Sequence, residues 1–186
     1  MKVLAISGSL RRGSSNTALL EAASVVAPSD VTFEFYHVGA LPSFNPDLEM
    51  GALPAAAGTL RSRVGAAAGI VISTPEYAHG LPGSLKNALD WLVGSVELPD
   101  KPAALLWVEG RGDYAQAQLH EVLRTMSVRI VTDASIAVPL YGQASTADVV
   151  LANPGARTAL TEAMAAFRDA MERAGGPATG SVPRPL

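Results

Sequence analysis

Two loops carry the residue types and spacing that could do chemistry. Gly8-Ser9-Leu10-Arg11-Arg12-Gly13-Ser14-Ser15-Asn16-Thr17 follows the apolar run Val3-Leu4-Ala5-Ile6. Thr74-Pro75-Glu76-Tyr77-Ala78-His79-Gly80-Leu81-Pro82-Gly83 follows Ile70-Val71-Ile72. Each loop leaves a buried-looking strand and opens a helix. The first suits a phosphate. A helix N-terminus presents unpaired backbone N–H groups at the positive end of its dipole, Gly8 and Gly13 permit tight backbone paths, and Ser9, Ser14, Ser15, Asn16 and Thr17 add side-chain donors. Arg11 can make paired, charge-assisted bonds. The same residues also fit plain helix capping by Ser14 or Ser15, with the arginines solvated.

The second loop suits a flat ring. Pro75 keeps Thr74 extended, and Pro82-Gly83 marks a turn into the next helix. Between them, Tyr77 offers a stacking surface, and the amides of residues 77–80 offer donors for a ring edge that gains negative charge on reduction. Taken alone, this stretch reads first as an ordinary strand-to-helix connection with an exposed tyrosine, and only second as a ring site. The first loop lacks the Gly-Lys-Ser/Thr ending of a nucleoside triphosphate loop and the G-x-G-x-x-G fingerprint of a dinucleotide site, which disfavours both.

Strands and helices alternate along the chain, so the spacing predicts an α/β fold with a mostly parallel sheet. Strands are expected at 2–7, 31–37, 69–73, 103–108 and within 129–138, and helices at 15–27, 53–67, 83–94, 114–127 and 156–174, with a loop at 39–51. The first, third and fourth strands are continuous apolar runs, as strands buried on both faces are. The second alternates (Val31, Phe33 and Phe35 against Thr32, Glu34 and Tyr36), and the fifth carries Arg129, Thr132, Asp133 and Ser135. Those two are therefore edges, and the order 2-1-3-4-5 satisfies the pattern. In that order the strand order reverses between strands one and three, the switch point where open α/β sheets bind ligands, and the two loops leave those two strands. Residues 1–174 read as one domain and 175–186, rich in proline and glycine, as a flexible C-terminal tail.

Bulk composition narrows the function. The chain has 186 residues, 48% hydrophobic and 17% charged, with a net charge of −3 and no cysteine. Disulfides and thiolate chemistry are excluded, and nucleic acid is a poor partner for an acidic chain with no basic run beyond Arg11-Arg12. The N-terminus does not read as a signal peptide and no run of about 20 apolar residues spans a membrane, so a cytoplasmic setting is expected. The scarcity of charge predicts self-association.

Together the loops resemble the NAD(P)H-dependent FMN reductase family of the flavodoxin-like fold. The family pattern is roughly G-S-L-R-x-x-S-x-N in the first loop and P-E-Y-N-x-x-x-P-G-x-L-K-N-A-[IL]-D-W in the second; the second match runs from Pro75 to Trp91. The resemblance implies a three-layer sandwich with a five-stranded parallel sheet. It implies an FMN phosphate held by Ser9, Arg11, Ser15, Asn16 and Thr17, and a ring lined by Pro75, Glu76, Tyr77, Ala78, His79 and Gly80. It also implies a homodimer or homotetramer that takes hydride from NADPH or NADH through flavin N5 and passes it to a small-molecule acceptor such as a quinone, azo compound, metal oxyanion or free flavin. No protein acid or nucleophile is then needed at the central step. An electron carrier that does not oxidise NAD(P)H, or a regulatory protein on the same fold, are the alternatives.

Two departures stand out: Ala78 replaces the pattern's asparagine, and the loop after the fourth strand reads Glu109-Gly110-Arg111-Gly112-Asp113-Tyr114 where a glycine pair is usual, bringing Arg111 near the flavin or a nicotinamide phosphate, or equally leaving it in solvent. Among single residues, His79 is expected to pack beside the ring or donate to a substrate. His37 and His120 are expected in solvent, and the scattered histidines give no metal site. Trp91 is expected in the core or at an interface, Lys86 and Asp90 as a helical pair, and Asn87 as a brace for the loop.

Overall fold

The computed structural model describes residues 1–140 and 145–175. Its strands are β1 (Lys2–Ser7), β2 (Thr32–His37), β3 (Gly69–Ser73), β4 (Pro102–Val108), β5 (Arg129–Ile130) and β6 (Ile136–Val138). Its helices are α1 (Ser15–Val26), α2 (Pro46–Met50), α3 (Ala55–Ala66), α4 (Gly83–Val93), α5 (Asp113–Thr125), α6 (Ala147–Leu151) and α7 (Pro154–Gly175). The sheet is parallel with the order β2-β1-β3-β4-β5, and β6 also pairs with β4. This is the flavodoxin-like order expected from the burial pattern.

Successive residues of a strand face opposite sides of the sheet, and β1 shows it directly. Val3 and Ala5 enter a core with Leu19 and Ala23 of α1 and Leu160 and Phe167 of α7. Leu4 and Ile6 enter a second core with Leu60 of α3, Leu85 and Leu89 of α4, and Leu119 of α5. The three layers follow from that alternation: α1, α6 and α7 on one face, and α3, α4 and α5 on the other.

The expected fifth strand is two short pieces. A 3-10 turn at Thr132–Ala134 separates β5 from β6. The gap in the ladder is closed by a side chain: the Leu105 amide donates to Ser135 Oγ at 3.1 Å, and that hydroxyl donates on to the Val131 carbonyl at 2.9 Å. The 39–51 segment, expected as loop, holds α2, because Asn45 Oδ1 accepts the Asp47 amide at 2.9 Å and Pro46 sits at the first helical position, a helix-start signal. Helix α6 is likewise additional, capped by Thr146. Helix α7 continues through Gly175, and the rest of the expected tail, 176–186, lies outside the described residues.

Candidate functional site

Ser7 and Ser73 stand side by side in the register of β1 and β3, so the two loops leave neighbouring strands at one level. The Gly8 amide donates to the Ser73 carbonyl at 2.8 Å. A Cβ on Gly8 would strike the Thr74 hydroxyl and lie 2.8 Å from Thr74 Cβ, so only glycine permits this approach.

The first loop is knitted largely to itself. Ser7 and Thr17 share a hydrogen bond through their hydroxyls at 2.9 Å, and Ser7 Oγ accepts the Ser9 amide at 3.2 Å. Ser9 Oγ accepts the Arg11 amide at 3.3 Å, and an Arg11 guanidinium nitrogen donates to the Gly13 carbonyl at 3.1 Å. Ser14, 5% exposed, caps α1 by accepting the Asn16 amide at 3.3 Å, and Gly13 turns the chain into that cap at φ +66°. The capping reading therefore holds for Ser14, leaving Ser15 on the first turn of α1. Asn16 Oδ1 accepts the Ser73 hydroxyl at 3.0 Å, fastening α1 to β3.

A cleft of about 270 Å3 lies over these strand ends. Of the residues singled out in the sequence, Ser9, Arg11, Ser15, Asn16, Pro75, Glu76 and Tyr77 line it. Thr17 lies instead in an adjoining cleft of about 520 Å3, beside Arg12, Glu21 and His37. Ala78, His79 and Gly80 continue the second loop without lining the cleft. Ser14, Thr74, Trp107, Val108, Arg111 and Gly112 complete the wall. Arg111, though exposed, thus lines the cleft as Arg11 does, giving it two arginines. Trp107 and Val108 carried no chemical signal in the sequence; they enter because β4 neighbours β3.

The second loop differs from expectation in its donors. Tyr77 and Gly80 exchange both amide-to-carbonyl bonds at 3.0 Å, so Ala78 and His79 form a tight two-residue turn at φ +50° and +57°. Of the amides expected to serve a ring, those of Tyr77 and Gly80 are used within the turn. Those of Ala78 and His79 have no acceptor among the described residues. Asparagine enters left-handed backbone more readily than alanine. Tyr77 is 56% exposed, as a stacking surface must be.

Three contacts join this loop to α5. Glu76 Oε2 accepts the Ala115 amide at 3.0 Å, capping α5 from outside. The His79 and Tyr114 rings stack at 4.2 Å and 17°. Gln118 Oε1 accepts the Leu81 amide at 2.7 Å. Sequence reasoning did not reach Gln118, a polar residue on an exposed helix face far along the chain.

The rest of the motif helix serves the fold. Asn87 donates to the Pro42 carbonyl at 2.9 Å and accepts the Phe44 amide at 2.7 Å, bracing the 39–51 segment rather than the ring loop. Trp91, fully buried, donates to the same Pro42 carbonyl at 2.8 Å, and Lys86 pairs with Asp90 at 2.6 Å. His37 and His120 are exposed. Among the described residues, no cluster of side chains could hold a metal ion and no helix is long and apolar enough to cross a membrane.

The sequence profile of the NADPH-dependent FMN reductases matches residues 1–143. The chain belongs to this family. It is 40% identical over 123 residues to an NAD(P)H-dependent FMN reductase of Pseudomonas aeruginosa, covering 64% of this chain and 66% of that protein. It is 42% identical over 91 residues to a 2-hydroxy-1,4-benzoquinone reductase of a Burkholderia species, covering 49% of each. The chain thus spans between half and two thirds of the length of these relatives. Among solved structures, it resembles the flavoenzyme NAD(P)H:(acceptor) oxidoreductase FerB from Paracoccus denitrificans at a TM-score of 0.82 and 28% identity, over 92% of this chain and 97% of that one. The site fits FMN on its own terms: a glycine-enforced approach of two strand ends, a helix N-terminus with a cation beside it, and an exposed aromatic, Tyr77, next in the chain to two amides without acceptors among the described residues.

Proposed function

We propose that this protein is an NAD(P)H-dependent FMN oxidoreductase that reduces small quinone-type acceptors. The observation that carries this reading is the convergence of the two loops at the ends of β1 and β3 on one cleft, lined by Arg11 and the first turn of α1 together with Glu76 and Tyr77. Family membership and the printed activities of the relatives support it.

Each side chain has a physical task. Arg11, Ser9 and Ser15, with the first turn of α1, would hold a doubly charged phosphate by charge-assisted bonds and the helix dipole. Asn16 and Thr17 hold that turn against β3 and β1 through Ser73 and Ser7. Tyr77 would cover a ring face, and the Ala78 and His79 amides would donate to its polar edge. Trp107 and Val108 form an apolar wall that keeps water from the reacting face. Bound FMN supplies the hydride-accepting and hydride-donating chemistry, so the protein's part is alignment of donor and acceptor. Arg111, a second cation lining the cleft, suits the phosphate groups of NADPH or NADH.

Residues 1–174 form the flavin-binding domain in this reading, in a cytoplasmic homodimer or homotetramer. The exposed Met50, Val93 and Val96 support self-association, at 80%, 65% and 87% exposure. Glu49 beside Gly94 brings α2 against the end of α4, so these apolar residues lie in one region.

The deciding experiment adds FMN to the purified protein and then NADPH or NADH without oxygen. Bleaching of protein-bound flavin is expected. Bound flavin that stays oxidised indicates a pure electron carrier, and failure to take up FMN overturns the flavoprotein reading.

A further inference from the structure

A tight turn with two non-glycine residues in left-handed backbone is strained, and such strain persists only where surrounding structure over-determines it. Here the surroundings are one helix. The first two turns of α5 grip the loop at its entry, tip and exit: Ala115 on Glu76, Tyr114 on His79, and Gln118 on Leu81. Tyr114 and Gln118 are four residues apart and so share one face of the helix. The grip is mutual, because α5 has no side-chain cap of its own at Gly112 and Glu76 supplies one. A carboxylate there also meets the favourable end of the helix dipole. Gln118 therefore spends its carbonyl oxygen not on helix stability but on a loop amide of another segment.

We propose that Gln118 and Glu76 are positioning residues that lock the Tyr77–Gly80 turn to α5 and thereby hold the Ala78 and His79 amides in register with the flavin's polar edge. This rests on the FMN reading above. Neither residue supplies charge or a proton to the reaction. They fix donors in advance, which is where hydrogen-bond stabilisation of developing charge is gained. Reduction places negative charge on that edge, so donors held in place favour the reduced flavin. Loosened donors lower the reduction potential and weaken binding.

The test compares Gln118→Leu, which keeps the bulk and removes the acceptor, with Gln118→Glu, which keeps an acceptor at the same reach. Flavin affinity is read by fluorescence titration, and the midpoint potential of bound FMN by equilibration with a reference dye. Losing one such anchor is expected to raise the FMN Kd about tenfold in Gln118→Leu and to shift its potential downward, with Gln118→Glu recovering the affinity; the added carboxylate itself disfavours a reduced, anionic flavin, so the potential is read in Gln118→Leu alone. Unchanged affinity and potential in Gln118→Leu overturn the proposal. Amide hydrogen exchange on the flavin-free wild-type protein tests it independently of any variant's folding. The Leu81 amide should be protected and those of Ala78 and His79 should not; equal exchange at all three also overturns it. A wild-type protein that binds no FMN defeats the flavoprotein reading instead, and the exchange pattern still reports on the lock.

Discussion

Ala78 is the place where local conformation and residue type conflict most openly. Its φ of +50° puts an alanine Cβ into left-handed backbone, which costs an L-residue roughly 1–2 kcal/mol. Its neighbours cannot relax it, because Tyr77 and Gly80 are closed on each other by two hydrogen bonds. Asparagine tolerates this region through local hydrogen bonding by its short polar side chain. Ala78→Asn should recover about half the penalty, ~0.5–1 kcal/mol, a rise in Tm of about 1–4 °C for a chain of this size. Ala78→Gly removes the penalty more completely but gives back ~0.4–1 kcal/mol by loosening the unfolded chain, so its gain should be similar to that of Ala78→Asn. The assay is urea unfolding of flavin-free protein, because a ligand adds its own stabilisation. Ala165, exposed on α7, provides the control: asparagine there should cost up to about 0.7 kcal/mol in helix propensity. If both Ala78 variants unfold at or below the wild-type midpoint with unchanged slope, the turn is not strained and the reasoning fails.

Arg11→Ala should weaken FMN retention by roughly 1.5–3 kcal/mol through loss of charge-assisted bonds, and unaltered flavin affinity by calorimetry would remove Arg11 from the phosphate role. Gly8→Ala should drive the two loops apart at Thr74 and cost ~1–3 kcal/mol as overpacking, seen in both unfolding and flavin uptake. Asn87→Ala should cost ~1–3 kcal/mol, since the Phe44 amide loses its acceptor, and should expose the 39–51 segment to limited proteolysis while sparing flavin binding. Burial raises the Tyr36 pKa, with the Arg63 charge opposing it. The unfolded chain then ionises first, so stability should decline as pH rises past the ordinary tyrosine value of about 10. Tyr36→Phe should abolish that part of the alkaline decline in pH-dependent urea unfolding.

Strand order was legible because burial on one or both faces writes itself into alternation, as β2 and β4 show. The break between β5 and β6 was not, because it depends on Ser135 reaching across to Leu105, a tertiary bond with no local pattern. Helix α2 was legible in principle: Asn45-Pro46-Asp47 is a start signal, obscured by the proline-rich surroundings. At the site, the loops and their meeting point could be read from residue types. The allocation of backbone amides could not, since it follows from the closure of Tyr77 on Gly80 and not from any side chain. Glu76 lines the cleft, yet its carboxylate acts on α5, and Gln118 lies 37 residues from its partner with nothing near it in sequence to mark it.

The interrupted strand has a consequence for how copies of this chain can meet. An open sheet edge is a template on which a second chain can extend the ladder. Here the β5–β6 edge offers two residues, then a 3-10 turn, then three residues. On the opposite edge, Glu34 of β2 engages both Lys2 and Arg63. Neither rim presents a long, flat, uncharged run, so runaway stacking through strand addition is blunted at both ends of the sheet. Orderly association must then use helical faces, which separates productive assembly from amyloid-like growth by geometry.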